Sequence, residues 1–127
     1  MPPLLDGLRI LILEDEFLIA TLIEDMLVSA GCVVAGPIPR LAEALDAVDR
    51  GIFDAAILDV NLGGDRVYPV ADALSRRNVP FVFVTGYSTG VLPCEYDERP
   101  RLCKPFKMAD LLKTLSSVVA PPSASAS

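Results

Sequence analysis

The chain has 127 residues, of which 52% are hydrophobic, and its eleven basic and seventeen acidic residues give a net charge of -6. This length and composition predict one folded domain, leave no room for two, and argue against a disordered chain. The acidic balance, without any cluster of Lys or Arg, argues against nucleic acid and against an anionic membrane as direct partners.

Three other features of the sequence lead us to expect a cytoplasmic protein. No apolar run approaches the roughly 18 residues of a membrane span. The amino end lacks a basic segment followed by a long apolar stretch, so we expect no secretory signal. Cys32, Cys94 and Cys103 are odd in number and lack C-x-x-C spacing, which argues against a disulfide framework or a zinc site and predicts free thiols.

The first half of the chain reads as two strand-helix units. Residues 8–13, which are apolar except for Arg9, predict a buried strand, and apolar residues spaced by three and four over residues 19–30 predict an amphipathic helix. Residues 32–35 predict a short strand closed by Gly36-Pro37, and Pro39 can open a second helix. The inner faces expected of these helices comprise Ile19, Leu22, Ile23, Met26, Leu27 and Ala30, and Leu41, Ala44, Leu45 and Val48.

The second half of the chain contributes three more strands. Residues 53–58 are a nearly unbroken apolar run that ends at Asp59, as expected of a strand buried on both faces, and Gly63-Gly64 allows a sharp turn after it. The next helix starts near Arg66 or Tyr68, because Pro69 is tolerated only in a first turn. The remaining predicted elements are a strand at residues 79–84, a short strand at Leu102-Cys103 and a closing helix at residues 108–119.

The order of these elements predicts an α/β fold. Strands alternate with helices, which implies a doubly wound five-stranded parallel sheet with helices on both faces. Gly90, Pro93 and Pro100 punctuate residues 87–100, so we expect the fourth helix, in that segment, to be short or irregular. We assign residues 1–120 to the domain and residues 121–127 to a disordered tail.

Polar side chains follow four of the five predicted strands: Glu14 and Asp15, then Asp59, Thr85 and Lys104. In a doubly wound sheet these strand ends converge on one rim. Three carboxylates held close together repel one another and recruit a cation, and such oxygen-rich sites suit Mg²⁺. A hydroxyl and an ammonium group suit phosphoryl oxygens. Each residue alone could simply cap a helix or face solvent, but together they predict a phosphoryl-transfer site with a carboxylate nucleophile.

This constellation resembles the receiver domain of two-component response regulators, over about residues 8–119. The resemblance implies a flavodoxin-like sheet with strand order 2-1-3-4-5, a phosphoacceptor signalling domain rather than an enzyme, and no separate output domain. The roles that it implies are Asp59 as phosphoacceptor, Mg²⁺ held by Asp15, Asp59 and the backbone carbonyl of Asn61 with Glu14 acting through water, and phosphoryl contacts from Thr85 and Lys104.

Residues 80–87, PFVFVTGY, also resemble the single-domain receivers called FAT GUY after a Phe-Ala-Thr-Gly signature, although Val84 replaces the Ala. Two departures from the receiver pattern concern the switch. Arg101 stands where receivers usually have Tyr or Phe, and the segment before Lys104 is shorter than usual. They leave the phosphorylation chemistry intact and predict another route for the signal, a disorder-to-order change of residues 86–99.

Two alternatives stay open at this point. A phosphatase resembling the haloacid dehalogenases also combines Asp, Thr, Lys and an acidic pair, but in the reverse chain order, with a second Asp where Asn61 stands and with a cap domain. A pseudo-receiver would bind partners without being phosphorylated.

We expect instead a stand-alone receiver that is phosphorylated by a sensor histidine kinase or a phosphotransfer protein. It would signal to a protein target, unidentified from sequence, through altered contacts, or act as a phosphate sink.

Overall fold

The computed structural model describes residues 5–85, 101–103 and 106–119, and these residues contain seven strands and four helices. The strands are β1 (Arg9–Leu13), β2 (Val33–Ile38), β3 (Ala55–Asp59), β4 (Asn61–Leu62), β5 (Asp65–Arg66), β6 (Phe81–Thr85) and β7 (Arg101–Cys103). The helices are α1 (Phe17–Ser29), α2 (Leu41–Arg50), α3 (Tyr68–Arg76) and α4 (Met108–Val118).

Five of the strands form one parallel sheet in the order β2-β1-β3-β6-β7. Since β6 and β7 are the fourth and fifth strands of this sheet, the predicted order 2-1-3-4-5 and the parallel direction are confirmed. Every residue of the central strand β3 is buried, as expected of a strand covered on both faces. The predicted irregular helix and the disordered tail lie outside the described residues.

Two apolar clusters, one on each face of the sheet, hold the helices in place. Alternate residues of β1 point to opposite faces, so Leu11 and Leu13 join one cluster and Ile10 and Ile12 join the other. The first cluster includes side chains of α2 and α3, and the second includes side chains of α1 and α4. Each fully buried Leu or Ile contributes about 1.5–3 kcal/mol, so these clusters supply the main stabilisation of the fold.

The second strand does not end at Gly36-Pro37, so that prediction was wrong. β2 continues to Ile38, and its register with β1 shifts between Leu11 and Leu13. Gly36 has φ +102, and a Cβ at this position would lie 2.7 Å from the carbonyl oxygen of Ile12. The Gly-Pro pair therefore produces an irregularity within the strand, and it is tolerated because β2 lies at the edge of the sheet.

Two details of the predicted helices were also wrong. The second helix begins at Leu41 with Arg40 as its N-cap, so Pro39 lies just before it. Leu22 and Leu45, expected on inner faces, are 45% and 36% exposed. Apolar spacing alone marks more positions than one helix face can bury, and α1 is apolar around most of its circumference. The third helix does begin at Tyr68 with proline in its first turn, as predicted.

Two features were not predicted. Leu5, before the first strand, is fully buried, and its carbonyl accepts a 3.3 Å hydrogen bond from Sγ of Cys32. Between β3 and α3 the short strands β4 and β5 pair as an antiparallel hairpin. No helix in the described residues is long and apolar enough to span a bilayer.

Candidate functional site

Three carboxylates meet at the carboxyl end of the sheet. Glu14 and Asp15 follow β1 directly, and Asp59 is the last residue of β3. These strands are neighbours, with Leu13 in register with Leu58, so their ends reach the rim at the same level. One ligand atom from each carboxylate lies within 4.8 Å of the others. The proximity predicted for this acidic cluster is therefore confirmed.

The cluster is held by backbone hydrogen bonds and is largely buried. Glu14 and Asp59 are only 2% and 5% exposed, whereas Asp15 faces solvent. Oε2 of Glu14 accepts a 3.1 Å bond from the N–H of Glu16, and Oδ1 of Asp59 accepts a 3.1 Å bond from the N–H of Asn61. Because like charges at this separation repel one another strongly away from bulk water, the cluster favours a cation, and a donor set made only of oxygens fits Mg²⁺.

The hairpin of β4 and β5 fixes the backbone that follows Asp59. The N–H of Val60 donates to the carbonyl of Val84 at 3.1 Å, and the N–H of Val67 donates to the carbonyl of Val60 at 2.9 Å. Leu62 is fully buried, which anchors the hairpin in the core. Asn61, whose carbonyl was the predicted metal ligand, thus lies in a fixed strand beside the cluster. Gly63-Gly64 is a common two-residue hairpin connection, and this pair could have signalled the hairpin in the sequence.

The other sequence-predicted site residues are only partly within the described structure. Thr85 ends β6, and this strand runs beside β3 with Val84 opposite Asp59. Its backbone therefore reaches the same rim as the cluster. Arg101 begins β7, opposite Phe83. Lys104 lies outside the described residues, as does the segment 86–99 to which the predicted switch was assigned.

A cavity of about 590 Å³ opens beside the acidic cluster, between the hairpin and the start of α2. Sequence reasoning did not find it, because its walls are distant in the chain and carry no motif. The residues that line it are Asp15, Pro39, Arg40, Leu41, Ala42, Leu62, Gly63 and Asp65.

Apolar side chains are exposed next to the cluster, on the first two turns of α1. Phe17 and Leu18 are each 79% exposed, and Leu22 lies one turn further along the same helix. Large apolar side chains grouped in this way commonly mark a contact surface for another protein.

Comparisons with known proteins agree with this geometry. The family model of the response regulator receiver domain matches residues 10–116. The solution structure of SdrG from Sphingomonas melonis Fr1 is 44% identical, with a TM-score of 0.82, and the match covers 90% of this chain and 98% of that one. A search of curated proteins gave no match.

Two further solved structures are similar at lower identity. The receiver domain of sensor histidine kinase PA1611 from Pseudomonas aeruginosa PAO1, with a magnesium ion coordinated in its active site cleft, is 28% identical, with a TM-score of 0.77 and coverage of 89% of this chain and 98% of that one. The receiver domain of PhyR from Erythrobacter litoralis is also 28% identical, with a TM-score of 0.79 and coverage of 91% and 95%.

Proposed function

This chain belongs to the response regulator receiver family, and on that premise we propose that it accepts a phosphoryl group on Asp59 and signals through altered contacts with other proteins. The observation that carries the proposal is the acidic cluster, in which a carboxylate at the end of the central strand lies within 4.8 Å of two others. Labelling by acetyl phosphate in the presence of Mg²⁺, lost in Asp59→Asn, tests it.

The residues of the cluster fit a magnesium site. Asp15, Asp59 and the backbone carbonyl of Asn61 would coordinate the ion directly, and Glu14 would act through water. When bound, Mg²⁺ would neutralise the carboxylates and the charge on the phosphoryl oxygens. The magnesium ion in the PA1611 receiver domain, which is 28% identical over 89% of this chain, supports this assignment.

The phosphoryl transfer uses a positioned carboxylate as the nucleophile and a donor with a good leaving group. The N–H of Asn61 orients the carboxylate of Asp59 through its bond to Oδ1. When the donor is a phosphohistidine of another protein, a carboxylate oxygen of Asp59 forms a bond to phosphorus. At the same time the bond between phosphorus and the imidazole nitrogen of that histidine breaks, and the nitrogen keeps the electron pair. The product is an acyl phosphate. By family resemblance, Thr85 and Lys104 contact its oxygens.

The surface around Asp59 suits a histidine kinase or a phosphotransfer protein as the donor. Because Asp59 is only 5% exposed, a protein donor must cover the rim to deliver its phosphoryl group. The exposed apolar side chains of Phe17 and Leu18 lie directly after the cluster in the chain and offer that protein a contact surface. Their position next to the acceptor supports a protein partner at this face.

A further inference from the structure

The cavity beside the acidic cluster is separate from the proposed metal ligands except at Asp15. One wall comes from residues 39–42, around the start of α2, and the opposite wall comes from Leu62, Gly63 and Asp65 of the hairpin. A volume of about 590 Å³ lies within the usual range of small-molecule sites. The cavity is therefore large enough for a small phosphate-bearing molecule next to the phosphoacceptor.

The walls of this cavity are held together by close backbone packing. A Cβ at Gly63 would lie 3.0 Å from the carbonyl oxygen of Pro39, so the hairpin touches the residues before α2. Leu62 is fully buried in the core on the same side. The cavity is thus shaped by the packing of the chain itself.

Arg40 is the one cation among the described residues that line the cavity. Asp15 and Asp65 also line it, and Glu14 and Asp59 lie close by in the cluster. This excess of negative charge opposes the entry of a phosphate dianion. Arg40, the N-cap of α2, makes no side-chain capping bond, and within the described structure its guanidinium has neither a hydrogen bond nor an ion pair. It is available to an incoming anion.

We propose that Arg40 is a specificity-determining residue of the phosphotransfer reaction. Its positive charge draws small dianionic phosphodonors, such as acyl phosphates, into this cavity. The proposal rests on the proposed function of Asp59. For acetyl phosphate, a bond forms between a carboxylate oxygen of Asp59 and phosphorus. The bond between phosphorus and the acetyl oxygen breaks, and acetate leaves with the electron pair, so no redox partner is needed.

A positive charge at Arg40 predicts different effects on the capture of the phosphodonor and on the binding of Mg²⁺. Removing the positive charge weakens the capture of a dianionic donor, by about 3- to 10-fold in the second-order rate of labelling at low ionic strength. It also removes a repulsion on any cation bound at the neighbouring cluster, so Mg²⁺ affinity stays the same or increases. A merely structural loss would weaken both together.

The experiment compares Arg40→Gln, Arg40→Lys and the control Arg76→Gln in the full chain. Arg76 is an exposed arginine at the end of α3 that lines a different cavity, with Leu45 and Ala73. Labelling rates are measured against acetyl phosphate concentration at saturating Mg²⁺ and at two ionic strengths, and Mg²⁺ affinity is titrated separately. We expect a slower rate only for Arg40→Gln, with the difference shrinking at high salt and with phosphoramidate, which carries less negative charge.

The possible outcomes distinguish a failure of the role proposed for Arg40 from a failure of the function proposed for Asp59. If Arg40→Gln is labelled at the wild-type rate with the wild-type salt dependence, the role of Arg40 is refuted while Asp59 stays the acceptor. Parallel loss of Mg²⁺ affinity and labelling rate in Arg40→Gln, or failure of Arg40→Lys to restore the rate, also refutes it. Labelling that persists in Asp59→Asn refutes the proposed function itself.

Discussion

The N–H of Asn61 bonds to Oδ1 of Asp59 at 3.1 Å, which ties the proposed nucleophile to the first residue of the hairpin. The carboxylate at the end of β3 therefore shares its orientation with the two short strands that follow. A change in the shape of the hairpin is expected to reach the site through this bond.

The first prediction concerns the acceptor. Asp59→Asn should abolish labelling by acetyl phosphate, because the amide is not a competent nucleophile. The exposed carboxylate of Asp25 on α1 provides the control, and Asp25→Asn should label as wild type. The label should also be released by mild alkali, as an acyl phosphate is. A label that survives alkali, or that remains on Asp59→Asn, contradicts the assignment.

The second prediction concerns the metal. Asp15→Asn should lower Mg²⁺ affinity by about 10-fold or more, and relief of repulsion in the cluster should stabilise the metal-free protein by about 1 kcal/mol. Glu16 is exposed and outside the cluster, so Glu16→Gln is the matched control. Thermal unfolding with increasing Mg²⁺ measures both effects. Equal stabilisation of wild type and Asp15→Asn by Mg²⁺ would rule out direct coordination by Asp15.

The third prediction compares two adjacent glycines of the hairpin. Gly63 and Gly64 both have positive φ, but a Cβ at Gly63 would meet Pro39 at 3.0 Å, whereas one at Gly64 has no neighbour within 4 Å. Gly64→Ala should cost about 1 kcal/mol of unfolding free energy from backbone strain alone. Gly63→Ala should cost about 1–2 kcal/mol more, because hairpin and loop must also separate. Urea unfolding measures both, and equal costs would contradict the packing.

The fourth prediction concerns the protein donor. Replacing Phe17 and Leu18 together by Ser should slow phosphotransfer from a phosphorylated kinase or phosphotransfer protein by about 10-fold or more, since buried apolar anchors carry much of the energy of an interface. Labelling by acetyl phosphate should not change. Val28→Ser, at an exposed apolar position near the other end of α1, is the control. Equal slowing with both kinds of donor would point to damage at the site instead.

The fifth prediction concerns pH. Burial raises the pKa of the Cys32 thiol above its ordinary value of 9.0, and the Asp6 carboxylate raises this pKa further. The thiol ionises in the unfolded chain first, so its contribution to stability is complete below about pH 9 and is lost as the pH rises through the higher folded value. Unfolding free energies at about pH 8 and about pH 10 should differ less in Cys32→Ala than in wild type. An unchanged difference would exclude this thiol as the cause.

Much of the sheet could be predicted from the sequence, because buried parallel strands consist of nearly continuous apolar residues. The proximity of Glu14, Asp15 and Asp59 could also be predicted, because parallel strands that pair in register end at one rim of the sheet. The spacing of apolar residues along α1 did not show that Leu22 is exposed. This spacing depends only on which residues are apolar, and it does not tell which of them other parts of the chain cover. Arg40 was missed because the cavity depends on a hairpin contact between distant residues.

The irregular edge strand has a consequence for self-association. An exposed strand edge offers a row of N–H and C=O groups with which another chain can pair, and this is a common route to aggregation. Pro37 has no N–H to offer, and the register shift near Gly36 interrupts the regular spacing of β2. A foreign strand could therefore pair along only a short stretch of this edge. Gly36-Pro37 does not end the strand, but it limits the pairing of this edge with other chains into a larger intermolecular sheet.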